Sequence, residues 1–255
     1  MLKKGGGEMG VRSRRLGVLW AAGVAAILMV GAALGAGREA ALQADAPAQL
    51  EEQAAPKLIA LTFDDGPRRS TTTALLDGLA QRGVHATFFL IGSQIEGNED
   101  LICRMDAEGH QIGIHTYDHV SLTGLNRADF SAQVDRTREV LRQLLGHDNF
   151  LLRPPYGATD ASVELWAECP IVLWSVDPED WRDKDTAREV EHILQEARDG
   201  SIVLLHDIYP ASVEAALQVV DALHAQGYLF CTVEELFAER SISLEAGQIY
   251  RQAYP

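Results

Sequence analysis

Five clusters in this chain have residue types and spacings that could do chemistry, and each follows a short apolar run. The first is Thr62-Phe63-Asp64-Asp65-Gly66-Pro67. Two adjacent carboxylates before Gly-Pro can be simply an acidic turn, or a site in which one side chain faces a metal ion and the other a water molecule. The second is His115-Thr116-Tyr117-Asp118-His119. Imidazoles at i and i+4 share one face of a helical turn and can ligate one ion, although two such histidines also occur as solvated surface residues. Thr116 stands where a His-Glu-x-x-His metalloprotease helix has its glutamate, so a general base must come from elsewhere, and Asp64 is available.

The third cluster, Arg153-Pro154-Pro155-Tyr156-Gly157, is a rigid turn whose free amide, at Tyr156, can be aimed at a developing oxyanion. The fourth, Asp177-Pro178-Glu179-Asp180-Trp181, sets carboxylates beside an aromatic wall, and the fifth, Leu204-Leu205-His206-Asp207, carries after its apolar strand a lone histidine that by itself would be read as structural. Placed together at successive strand ends, where parallel α/β folds gather their chemistry, these parts compose a metal-assisted hydrolase.

The elements that must position them are legible as apolar runs at 58–63, 86–91, 112–114, 150–152, 171–174, 202–205 and 228–233, with helical periodicity between them at 72–81, 130–145 and 213–225. Strand and helix alternating in this way predict an α/β fold with a parallel sheet. About 185 residues are too few for a full eight-unit barrel, which takes about 250. A distorted (β/α) barrel with about seven parallel strands is expected.

The order and wording of the five clusters resemble the polysaccharide deacetylase family, carbohydrate esterase family four, whose catalytic unit is the NodB homology domain, over residues 57 to 237. The resemblance implies a NodB-like barrel in which Asp65, His115 and His119 bind one divalent ion, most commonly zinc, with cobalt, nickel or manganese as alternatives. It implies that Asp64 deprotonates a metal-bound water, which attacks the carbonyl of an N-acetyl group, and that the Tyr156 N–H and the metal hold the oxyanion. His206 would protonate the leaving amine, kept as imidazolium by a carboxylate such as Asp180, while Arg153 orients Asp64. Tyr156, Trp181 and Leu204 would contact substrate, with Asp177 in support. The implied substrate is N-acetylglucosamine in cell-wall peptidoglycan or chitin-type oligomers. The alternative is an O-acetyl esterase of xylan type using the same machinery. Two histidines and one carboxylate also suit a non-haem iron oxygenase, but the paired Asp64-Asp65 and the late His206 favour hydrolysis.

The rest of the chain bounds the setting. Its 255 residues carry a net charge of −15, and five bases (Lys3, Lys4, Arg12, Arg14, Arg15) in the first 15 residues hide a body of 17 bases against 36 acids. Such a body repels nucleic acid, which is not expected as a partner, and no protein partner is predicted. Cys103, Cys169 and Cys231 include no Cys-x-x-Cys pair, which excludes thiolate zinc fingers and thioredoxin-like chemistry; two could pair, or all could be free thiols. Residues 1–15 read as a basic cytoplasmic segment, and 16–37, which are 22 residues without a charge, as a transmembrane signal anchor or a signal peptide, with Ala44-Asp45-Ala46 as a small-x-small triplet. Residues 38–56 read as a flexible linker, 57–240 as an extracytoplasmic catalytic domain, and 241–255 as a tail without a role.

Overall fold

Strand β1 (Lys57–Asp64) is the axis of the molecule, and its sequence, KLIALTFD, alternates between two burial environments. Ile59, Leu61 and Phe63 pack in the apolar layer between sheet and helices, whereas Leu58 and Ala60 belong to a second cluster with Phe89, Leu151, Val172 and Ile202 inside the sheet's curve. A period of two therefore carries the inward series on through Thr62 to Asp64, which delivers a polar residue and then an acid into the open end of that interior.

The structure, a computed structural model, describes residues 56–254. The basic segment, the apolar span and the linker as far as residue 55 lie outside the described residues. Among the described residues no helix is long and apolar enough to cross a membrane.

The remaining strands are β2 (Thr87–Leu90), β3 (Gln111–Ile114), β4 (Leu151–Leu152), β5 (Ile171–Val172), β6 (Ser201–His206), β7 (Tyr228–Phe230) and β8 (Ile249–Tyr250). The sheet has the order β6-β1-β2-β3-β4-β5-β8, with β7 alongside the start of β1, and every strand pair in it is parallel. An isolated parallel bridge, Val176 with Val203, brings the chain beyond β5 back to β6, and the Leu204 N–H donates to the Val176 carbonyl at 2.9 Å. The sheet thus curls into a barrel that one bridge closes at its upper end, as the resemblance implied. All seven apolar runs contain strands: β1, β3 and β6 extend beyond their runs, and β2, β4, β5 and β7 are shorter than theirs.

Around it lie α1 (Arg69–Arg82), α2 (Glu99–Ala107), α3 (Arg127–Gln133), α4 (Asp135–Leu145), α5 (Ala161–Trp166), α6 (Asp180–Asp183), α7 (Thr186–Glu196), α8 (Pro210–His224) and α9 (Val233–Glu239). The single helix expected over 130–145 is two, broken at Val134. Side-chain caps fix several starts: the Asp185 carboxylate accepts from the Ala187 and Arg188 N–H groups at the head of α7, and Thr232 with Glu235 forms a capping box on α9. All three cysteines are free thiols, with Cys169 and Cys231 buried.

The segment after residue 240 is not a spare tail. Its strand β8 extends the sheet beyond β5, and the Ala253 N–H then donates to the Gly200 carbonyl at 2.8 Å, beside a bridge between Gln252 and Ser201. The tail therefore spans the gap between β5 and the start of β6, the end of the barrel that the Val176 bridge does not close. Gly200 has φ +92° and lies against the Ala253 backbone, so a Cβ there would collide with main chain. Ala253 is buried, and the Tyr250 ring packs edge-on to Phe237 at 5.1 Å. Deleting residues 246–255 should lower the unfolding midpoint by about 5 °C or more, in line with about 2–4 °C per kcal/mol for a domain of this size. An unchanged melting curve would show that β8 contributes nothing to the barrel.

Candidate active site

The carboxyl ends of β1, β3, β4 and β6 meet at one cavity of about 430 Å³. Asp64 and His206 are register partners on adjacent strands, so strand pairing alone sets them side by side. Asp64, Asp65, His115, His119, Tyr156, Trp181, Leu204 and His206, all singled out from sequence, line the cavity, as do Asp177 and Trp174. Arg153 and Asp180 do not line it; both are fully buried behind it.

Arg153 follows β4 and sends its guanidinium across the barrel interior. Nε donates to the Val172 carbonyl at 3.0 Å, Nη2 to the Leu173 carbonyl at 2.9 Å, and Nη1 to Thr62 Oγ1 at 2.7 Å and Asp64 Oδ1 at 2.8 Å. The guanidinium also lies over the Phe89 ring at 4.1 Å. These contacts compensate a desolvation that for an isolated buried charge would be prohibitive. One oxygen of Asp64 is thereby fixed, while Oδ2 stands 3.7 Å from His115 Nε2.

His115, Asp65 and His119 form a cluster whose ligand atoms lie within 4.8 Å of one another. His115 Nδ1–H donates to the Arg153 carbonyl at 2.7 Å, which leaves Nε2 as the lone-pair nitrogen, 3.5 Å from Asp65 Oδ1. Burial pushes the His115 pKa below its ordinary value against the pull of Asp64 and Asp65, favouring the neutral ring a metal ligand needs. His119 Nε2 is 3.2 Å from the same Asp65 oxygen. That oxygen is buried and has no hydrogen-bond donor among the described residues, and a cation between three such atoms is the partner it lacks. The donor set, one carboxylate and two imidazoles, therefore fits a divalent ion.

The two histidines do not share a helical turn, as their spacing predicts. Residues 115–119 form an irregular loop with Thr116 at φ +62° and His119 at φ +55°, and the Gln133 side chain holds it by accepting the Tyr117 and Asp118 N–H groups at 3.0 and 2.9 Å. Asp65 and Tyr156 are also left-handed, with φ +70° and +63°. Left-handed non-glycine residues cost about 1–3 kcal/mol each and gather where function requires them. At Tyr156 the twist leaves an amide without an acceptor among the described residues and a side chain 71% exposed, its ring edge-on to His119 at 5.0 Å.

On the other wall, the two oxygens of Asp180 accept from the His206 main-chain N–H at 2.8 Å and from Nδ1–H at 2.7 Å. Burial alone would lower the His206 pKa, but that hydrogen bond and the charges of Asp180, Asp64 and Asp65 carry it up to about 9. Nε2 is the remaining polar atom of a ring that lines the cavity. Asp177 accepts the Glu179 N–H at 2.8 Å, and burial raises its pKa.

Two functional neighbours escaped the sequence reading. Trp174 closes an apolar run and so reads as core, yet it lines the cavity with Gly157 against its ring. Asp207 is fully buried, accepts from the Thr72 hydroxyl, and is pushed up to about 7 chiefly by burial. A Cβ on Gly66 would lie 2.5 Å from its carboxylate, which is why the residue after Asp65 has none.

Comparison with known proteins gives the same reading. The polysaccharide deacetylase family model matches residues 51–171. The peptidoglycan-N-acetylmuramic acid deacetylase PdaC of Bacillus subtilis is 38% identical over 180 residues, which are 71% of this chain and 38% of that protein. A peptidoglycan-N-acetylglucosamine deacetylase of Bacillus cereus is 35% identical over 188 residues, 71% of this chain and 88% of that protein. Among solved structures, a family 4 acetyl xylan esterase from Clostridium thermocellum in complex with a cobalt ion superposes with a TM-score of 0.73 at 28% identity, over 77% of this chain and 98% of that one. The chain spans less than half the length of the Bacillus subtilis relative but most of the other two. The chain belongs to the polysaccharide deacetylase family, carbohydrate esterase family four.

Proposed function

We propose that this chain removes N-acetyl groups from a cell-wall glycan, N-acetylglucosamine residues of peptidoglycan foremost, and releases acetate. The observation that carries the reading is the pair of opposed, charge-clamped groups on one cavity, Asp64 held by Arg153 and His206 held by Asp180, with the Asp65, His115 and His119 cluster between them. Those three residues would hold a divalent ion, zinc foremost and cobalt as in the xylan esterase relative, and when bound it supplies Lewis acidity to water and to the acetyl carbonyl. Asp64 takes the proton of the attacking water, its orientation set by Arg153. The Tyr156 N–H is the fixed dipole aimed at the oxygen on which negative charge develops. His206 gives its proton to the departing nitrogen, and Trp181 and Leu204 wall the acetyl group.

An amide nitrogen must be protonated to leave, which suits a strongly held imidazolium. The substrate also suits the extracytoplasmic location that the basic head and apolar span of residues 1–37 predict from sequence. The O-acetyl esterase reading has one observation in its favour, the fold and sequence likeness to the acetyl xylan esterase. Acetate release measured in parallel from N-acetylated peptidoglycan fragments, chitin-type oligomers and acetylated xylan, with zinc present, separates the two. Release from xylan alone overturns the N-deacetylase assignment.

Asp64→Asn should lose about a hundredfold or more in kcat while elemental analysis still finds the metal, and His119→Ala should lose the metal itself. A turnover close to wild type in the first, or full metal occupancy in the second, contradicts the roles given. Because the acid is the protonated ring, activity should be present below the His206 pKa and fall as pH rises through it, at or below about 9 since a cation on Asp65 offsets part of that charge. Asp180→Asn should move this alkaline limb down by about one pH unit or more; an unmoved limb would remove His206 as the acid.

A further inference from the structure

Helix α7 carries a group that the reaction as derived does not use. Glu189 is fully buried, and neither of its carboxylate oxygens has a hydrogen-bond partner among the described residues. The Thr186 hydroxyl donates to the Ala211 carbonyl at 3.1 Å and so joins the first turn of α7 to the first turn of α8. Glu189 lies one turn further along α7, and Ser212, next after Ala211, is likewise fully buried with its hydroxyl unpartnered. The adjacent Arg188 makes no hydrogen bond to it and offsets its charge only in part, because the guanidinium bonds the Pro178 and Glu179 carbonyls at 2.7 and 3.1 Å and Asp183. Those bonds clamp the loop leading into Asp180 against α7.

The charged groups that act on Glu189 are Asp180 and Asp183 from α6 and Asp185 and Arg188 from the head of α7. Burial, three acids and no hydrogen-bond donor on either oxygen disfavour the carboxylate form there, against the partial pull of Arg188. Burial first, and then the charge of Asp180, hold the Glu189 pKa up to about 7.

We propose that Glu189 is a positioning residue for the acid half of the reaction, a buried carboxyl whose ionisation adds a second negative charge to that of Asp180 and tightens the hold on the His206 proton. The inference rests on the reading of His206 as the general acid, but its coupling can be measured without substrate. His206 also faces Asp64 and Asp65 from β1 and the adjacent Asp207, which titrates in the same range as Glu189.

The ring nitrogen shifts of His206, followed by NMR across pH 5 to 10 in the zinc-loaded chain, should show a secondary step near neutrality and a main titration above it. In Glu189→Gln the step should vanish and the main midpoint should fall by about half a pH unit or more, with the alkaline limb of kcat falling alongside it and KM unchanged. A step that persists in Glu189→Gln, a step that vanishes in Asp207→Asn, or a single-step titration of the wild type overturns the proposal. So does a shifted midpoint with an unmoved limb of kcat. If His206 couples to Glu189 but the chain releases no acetate from any glycan, the functional reading fails and the coupling stands. Should Glu189→Gln not fold, Glu189→Leu serves. Its melting midpoint relative to wild type should rise between pH 4.5 and about 7, because a carboxyl whose folded pKa is raised loses stability over that window; a difference independent of pH contradicts a buried ionising group.

Discussion

Everything at the mouth of this barrel depends on one buried cation. Arg153 touches Thr62 and Asp64 on β1 and the carbonyls of Val172 and Leu173 at β5, and it reaches them from the end of β4. Strands β4 and β5 share a single register pair, Leu152 with Ile171, so backbone pairing there is thin. The guanidinium supplies the missing crosslinks as side-chain hydrogen bonds. Removing one partner of such a pair leaves an uncompensated charge in the interior, at a cost of about 3–5 kcal/mol. The same side chain therefore shapes the barrel and orients Asp64, and the Arg153 main-chain carbonyl fixes the tautomer of His115.

The site is built on a principle of opposed pairs. A cation, Arg153, stands behind the Asp64 carboxylate, and a carboxylate, Asp180, stands behind the His206 imidazole. Of the two, His206 is the one whose environment demonstrably favours its charged form, through the Asp180 hydrogen bond and the surrounding carboxylates. Left-handed backbone at Asp65, His119 and Tyr156 supplies the remaining geometry, bending three loops so that two ligands and an amide converge.

Most of the fold was legible because its strands are short apolar runs with reactive residues at their ends, and chain order already implies the parallel barrel. What escaped did so for physical reasons. Strand β8 has two half-buried residues, Ile249 and Tyr250, and no apolar run, since it packs on the barrel by backbone pairing more than by side-chain burial. The spacing of His115 and His119 suits a helical turn as well as a loop, and the choice rests on Gln133, fourteen residues beyond His119, whose amide holds the loop. Glu189 sits in an amphipathic helix rich in charge, where nothing in the sequence separates a solvated glutamate from a fully buried one.

The dependence on Arg153 is tested most directly by Arg153→Lys, in which a charge remains but the four-bond fork is lost. Metal content, melting midpoint and kcat on an N-acetylated glycan should be measured on the same preparation. The structure predicts metal retained, a midpoint lower by several degrees and kcat reduced about tenfold or more, since Asp64 loses its fixed orientation. A folded, metal-loaded Arg153→Lys variant with wild-type kcat would contradict the claim that this guanidinium aims the base.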